Sequence, residues 1–269
     1  MKFVWLTDIH LNFLDNDTRI KFYEKVNKAG GDAILISGDI AEAPSIKELL
    51  KEMSDYIKKP IYFVLGNHDY YKGKIDQVKN EMVLLTQEDE FLDWLPASGP
   101  SVLEEGIILV GQDGWADGRL GNYQNSRISL HDSRLIADLF QQKILGKDYL
   151  LKKMQELADI DAKQLQDNLK DAITQNPRKI IVVTHVPPFK ETCLHEGEIS
   201  DDDWLPYFGS KATGEVLQQI AKENPTIEFL VLCGHTHDEC IYKALENLIV
   251  RTGKAEYYQP SIVDIIDLS

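Results

Sequence analysis

Seven histidines occur in this chain, and five of them fall in short polar segments that each follow an apolar run. In order these segments are Thr7-Asp8-Ile9-His10, Gly38-Asp39-Ile40-Ala41-Glu42, Gly66-Asn67-His68-Asp69, Thr184-His185 and Gly234-His235-Thr236-His237. Four imidazoles (His10, His185, His235, His237), the carboxylates of Asp8 and Asp39, and the Asn67 amide oxygen form a mixed nitrogen and oxygen donor set. Such a set suits borderline or hard divalent metals. No thiolate joins it, because Cys193, Cys233 and Cys240 lack C-x-x-C spacing and read as small reduced side chains. In extended chain, Asp8-x-His10 and His235-x-His237 each put two side chains on one side. Each pair can therefore clamp one ion or bridge two. Seven donors are too many for one tetrahedral ion but match two ions sharing a carboxylate and a hydroxide.

The segments need a common rim, and the apolar runs before them supply it. Short β-branched runs at 2–7, 33–37 and 61–65 alternate with helical patterns, which predicts βαβ units and a largely parallel sheet. Ile20, Tyr23 and Val26 form one helical stripe; Ile46, Leu49, Leu50, Met53 and Ile57 form another. Further buried strands are expected at 106–111, 179–184 and 227–233, and antiparallel hairpin strands at 240–244, 248–252 and 261–266. Open α/β folds build their sites at the carboxyl ends of such strands. The stretch 129–177 is helical in pattern, and Asp161 with Gln164 resembles a capping box inside it. Two irregular stretches, 113–126 and 187–209, are long enough to be functional or mobile.

The composition allows a sizeable core and narrows the partners. At 269 residues, with 43% apolar and 27% charged side chains, the chain reads as one ordinary globular domain spanning 1–269. No apolar run is long enough to span a bilayer, and the N-terminus shows no signal peptide. A cytoplasmic protein is expected. The 29 basic and 44 acidic residues leave a net charge of −15, which repels phosphate backbones and anionic lipids, so nucleic acid and membrane are poor candidate partners.

The ordered set Asp8-x-His10, Gly38-Asp39-x-x-Glu42, Gly66-Asn67-His68-Asp69, His185 and Gly234-His235-x-His237 resembles the calcineurin-like metallophosphoesterase family. The resemblance implies a four-layer α/β/β/α sandwich of two mixed sheets flanked by helices, with 129–177 as a helical insertion and 187–209 as an active-site loop. It also implies a dinuclear centre. Asp8, His10 and His237 would hold one divalent ion and Asn67, His185 and His235 the other, with Asp39 bridging; manganese or iron is favoured, with zinc next. The implied activity is phosphoester hydrolysis by in-line attack of a metal-bridging hydroxide, with His68 protonating the leaving oxygen.

At Glu42 the pattern departs from the family, where Asp followed by Arg is commoner; here Ala43 follows. Glu42 is expected to orient His68, and the missing Arg removes a bidentate phosphate clamp. This disfavours protein phosphatase activity and favours a phosphodiesterase acting on a small phosphoester, with a phosphomonoesterase as the alternative and a non-catalytic scaffold behind it. Asn67, Arg119 and His195 are further candidates to meet substrate, Trp115 could stack on it, and His131 reads as a surface or packing residue.

Overall fold

The computed structural model describes residues 1–268. Thirteen strands are found among them: β1 (Lys2–Leu6), β2 (Ala33–Ser37), β3 (Ile61–Val64), β4 (Leu92–Trp94), β5 (Ser101–Glu104), β6 (Ile107–Gly111), β7 (Lys179–Val183), β8 (Leu194–His195), β9 (Glu198–Ile199), β10 (Glu228–Cys233), β11 (Cys240–Leu245), β12 (Leu248–Thr252) and β13 (Asp264–Asp267). One sheet has the order β13-β1-β2-β3-β4 and the other β11-β12-β10-β7-β6-β5; β8 and β9 pair as a separate hairpin. In the first sheet β1 to β4 run parallel and β13 antiparallel. In the second, β12, β10, β7 and β6 are parallel, and β11 and β5 are antiparallel edges.

Strands that are apolar at every position must be covered on both faces. Side chains alternate with period two, and the alternation divides each central strand between two cores. Phe3, Trp5, Ala33, Leu35, Ile181, Val183, Ile107 and Leu109 meet between the two sheets. Their neighbours Val4, Leu6, Ile34 and Ile36 face helices Asn16–Lys28 and Ile46–Ile57 on one side, and Ile108, Val110, Ile180 and Val182 face helix Lys211–Glu223 on the other. Four layers result, as expected.

Helix Lys147–Ile173 belongs to this frame. Leu150, Met154, Leu157 and Ala158 pack into the first helical core, and Leu165, Leu169 and Ala172 into the second. The 129–177 stretch therefore contributes a flank of the sandwich. No helix starts at Asp161: it sits buried within the long helix, 3.2 Å from the Lys79 ammonium, and accepts a bond from the Gly114 N–H.

Two helices, Ile75–Glu88 and Lys211–Glu223, were not anticipated, and neither has a side-chain cap bond at its start. β4 and β5 were too short and mixed to read. At the C-terminus only β11 and β12 form the expected hairpin; β13 crosses to β1 in the other sheet, where Ile266 enters the core between the sheets.

Candidate metal centre

The loops after β1, β2, β3, β7 and β10 meet at one rim. Backbone bonds tie them together, from Asp8 N–H to Gly38 O, His10 N–H to Asp39 O and Gly234 N–H to His185 O. Asp69, fully buried, accepts from the N–H groups of Ile40, Ala41 and Gly66 and so joins the second loop to the third. Five of the seven candidate ligands have left-handed backbone: Asp8, His10, Asp39, His235 and His237, with φ between 41° and 74°. Non-glycine residues adopt this region at a cost of about 1–2 kcal/mol each, and such strain concentrates at functional sites. The loops also pass too close for extra atoms. A Cβ on Gly66 would lie 2.1 Å from Asp39 Oδ1, and one on Gly234 2.1 Å from Asp8 Oδ2.

All seven candidate ligands converge. Asp8 Oδ1 lies 3.3 Å from His237 Nε2, and Asp8, His10 and His237 present ligand atoms within 4.8 Å of one another. Asn67 Oδ1 lies 3.1 Å from His185 Nε2 and 2.9 Å from His235 Nδ1. Asp39 stands between the groups, with Oδ1 3.4 Å from His185 Nε2 and Oδ2 3.9 Å from His10 Nε2. Ligands about 2.1 Å from one ion, at tetrahedral or octahedral angles, are about 3.0–3.4 Å apart.

The hydrogen bonds fix which ring nitrogens are free. His185 Nδ1–H donates to Ser37 O at 2.8 Å and His235 Nε2–H to Tyr207 O at 2.9 Å. Carbonyls only accept, so in the neutral rings the remaining nitrogens turn lone pairs toward Asn67 Oδ1. That oxygen is itself aimed there because Asn67 Nδ2 donates to Asp132 at 2.9 Å. Three lone pairs converge on a space that a cation would fill. His10 is 1% exposed with both ring nitrogens unpartnered, a cost unless a ligand takes them up. The donor set fits divalent metal.

The charges agree. Burial pushes His10 down to about 4 despite Asp39, leaving a neutral ligand. Burial opposes ionisation of Asp8, but the His237 hydrogen bond and the charges of His237 and His185 together outweigh it and hold the carboxyl at about 2. At His185 burial is overcome by Asp39 and Asp8, whose field raises the ring to about 10, so without metal Nε2 carries a proton that a bound ion would displace to reach the lone pair. The same field attracts metal cations.

His68 caps the cluster. Its ring stacks on Tyr71 at 4.2 Å, its backbone N–H donates to Asp39 Oδ1, and Nε2 lies 3.9 Å from Asp39 Oδ2 and 3.5 Å from the Tyr257 hydroxyl. Over these groups lies a cavity of about 240 Å³, lined among others by Asp39, Asn67, His68, His235 and His237. His195 lines it, as do Trp204 and Phe208 from the same 187–209 stretch. His131 lines it too, although the sequence suggested only a surface or packing role.

The structure does not bring three candidates to this place. The Glu42 carboxylate pairs with Lys72 rather than with the His68 ring. The Arg119 guanidinium is held by Asp117 at 3.1 Å and Asp159 at 2.8 Å, away from the cavity lining. Trp115 packs against Tyr70 at 5.0 Å and is 5% exposed, so it offers no stacking face. Arg119→Ala is accordingly expected to leave KM for any phosphoester within about twofold of wild type, read from initial rates across a substrate panel. Tyr71, Asp132, Trp204, Phe208 and Tyr257 were missed. Trp204 and Phe208 lie in a loop already singled out by its length, whereas nothing in the sequence around Tyr257 marks it.

The model of the calcineurin-like phosphoesterase family matches residues 1–239. No curated protein matches the chain in sequence. Among solved structures, phosphopantetheinyl hydrolase from Mycobacterium tuberculosis has a TM-score of 0.64 at 14% identity, covering 95% of this chain and 89% of that one. A dimetal phosphatase from Danio rerio has a TM-score of 0.60 at 12% identity, covering 94% and 87%. Identities this low speak for the fold, and the family match over most of the chain carries the assignment. This chain belongs to the calcineurin-like phosphoesterase family, and it is a phosphoesterase.

Proposed function

We propose that the protein is a dinuclear metal-dependent phosphodiesterase acting on a small phosphoester. Asp8, His10 and His237 would hold one ion and Asn67, His185 and His235 the other, with Asp39 as the carboxylate both could share. Two ions so held would supply Lewis-acid charge for the phosphoryl oxygens and acidify the attacking water. Manganese or iron suits the all-nitrogen-and-oxygen set, with zinc next. His68 protonates the departing oxygen: its ring is fixed by Tyr71 and its side chain remains 16% exposed at the cavity.

The observation that carries the diester reading is the cavity wall. Among the described residues lining it there is no lysine or arginine, and Asp132 contributes a carboxylate. A monoester brings one more negative charge than a diester and would need a cation to meet it. The net charge of −15 likewise opposes nucleic acid as a substrate. Three unpaired cysteines support a reducing, cytoplasmic setting.

The test compares methyl p-nitrophenyl phosphate with p-nitrophenyl phosphate, which share a leaving group and differ in charge, on chelator-stripped protein reloaded with Mn, Fe, Zn or Mg. The diester is expected to have the higher kcat/KM by about tenfold or more. A preference for the monoester would replace this reading with a phosphomonoesterase.

A further inference from the structure

The cavity has two aromatic flanks, and each stands on a different group of ligands. On one side the Tyr257 ring lies 4.7 Å from His10 and 4.8 Å from His237. Phe13 backs it at 5.8 Å, and 41% of the tyrosine remains exposed, leaving a face free. On the other side Phe208 meets His235 edge-on at 5.7 Å, and Trp204 stacks on Phe208 at 5.3 Å. His10 and His237 belong with Asp8, whereas His235 belongs with Asn67 and His185. A phosphoryl group seated between the two groups therefore has a ring surface beyond each side.

Charge does not compete for the two arms. No lysine or arginine lines the cavity among the described residues. The Asp132 carboxylate, whose Oδ1 accepts from the Asn67 amide at 2.9 Å and the Tyr71 hydroxyl at 2.6 Å, keeps its negative charge and so disfavours anionic arms rather than neutral planar ones. Each flank offers ring surface shared with an imidazole, His195 lying 6.0 Å from Trp204 and 6.1 Å from Phe208 and His68 6.1 Å from Tyr257, and such surface favours planar, unsaturated groups in offset or edge-on contact. Tyr257 also lies beyond residue 239, where the match to the family model ends.

We propose that Tyr257 on one flank and Trp204 with Phe208 on the other are two stacking subsites, and that the substrate is a phosphodiester bearing a planar group on each ester arm. This rests on the phosphodiesterase reading above and deepens it. The flanks select the arms, and the ligand cluster holds the singly charged phosphoryl group between them.

Dibenzylphosphinate and diethylphosphinate test this without turnover, because P–CH₂ bonds replace the scissile P–O bonds while one negative charge is kept. Binding to the metal-loaded protein is measured by calorimetry, and the ratio of the two dissociation constants is the readout. Stacking of each arm corresponds to about a 3- to 10-fold change, so Tyr257→Ala and Trp204→Ala are each expected to shrink the ratio by that factor. Trp204→Leu, which keeps apolar volume in case the alanine variant folds poorly, should shrink it as well. The idea is overturned if the variants leave the ratio at its wild-type value. Hydrolysis of methyl p-nitrophenyl phosphate separates the failures. With that activity present, an unchanged ratio sinks the stacking subsites alone; without any diester hydrolysis the underlying reading falls too.

Discussion

His68→Ala slows hydrolysis of a phosphodiester with an alkoxide leaving group by about 10²–10⁴-fold, the usual contribution of a positioned general acid. The same variant loses much less on a p-nitrophenyl ester, whose leaving oxygen departs without a proton. Metal content stays at the wild-type value, because the seven ligands remain. The expectation follows from the placement of the ring, which is braced by Tyr71 and His10 and reaches the cavity with Nε2. His10, Asp39 and His68 also present ligand atoms within 4.8 Å of one another, which makes metal analysis the deciding readout. Loss of an ion in His68→Ala would turn the residue into a ligand and remove its role as acid.

Asp39→Asn is expected to cost about 10³-fold or more in kcat/KM, since interaction with a metal supplies several kcal/mol and each tenfold is 1.36 kcal/mol. Its two oxygens face His185 and His10 on opposite sides, so no other side chain can replace it as a shared ligand. The amide keeps the shape, and the His68 N–H retains an oxygen acceptor at Oδ1. Stability separates the functional from the structural account. Asp39 is fully buried, yet the imidazoles of His185, His68 and His10 hold its carboxyl well below the usual carboxylate range, so at neutral pH its charge stabilises the metal-free fold. The metal-free variant should therefore melt below metal-free wild type, and the discriminating readout is the rise in Tm on adding metal, which should be smaller in the variant than in wild type. An equal metal-induced rise in the two proteins would make Asp39 mainly a structural residue.

Most of the frame could be read from the chain, for a physical reason. β1, β2, β3, β7 and β10 are buried on both faces and appear as continuous apolar runs, and each ends in a polar tight turn that the ligands occupy. Residue type and spacing thus singled out Asp8, His10, Asp39, Asn67, His185, His235 and His237 as candidates, and these side chains converge in the fold. What could not be read depends on pairing across distant parts of the chain. Whether Glu42 meets His68 or Lys72 is decided by where Lys72 falls after the third loop, and Arg119 is claimed by Asp159 from the long helix. Tyr257 reaches His10 only because the segment between β12 and β13 crosses from one sheet to the other. The glycines at 66 and 234 let Asp39 and Asp8 approach another loop's backbone, which only the folded chain reveals.

The central claim is that this rim holds two divalent ions and that hydrolysis needs them. The most direct measurement strips the protein with a chelator and titrates Mn²⁺ back, following bound metal per chain, Tm and methyl p-nitrophenyl phosphate hydrolysis on the same samples. Two ions per chain are expected, with Tm rising as the sites fill, by about 2.7 kcal/mol of stabilisation per site at a hundredfold excess over Kd, and with hydrolysis returning as the second site fills. Hydrolysis that survives complete removal of metal, or binding of less than one ion per chain with Mn, Fe and Zn alike, would contradict the account.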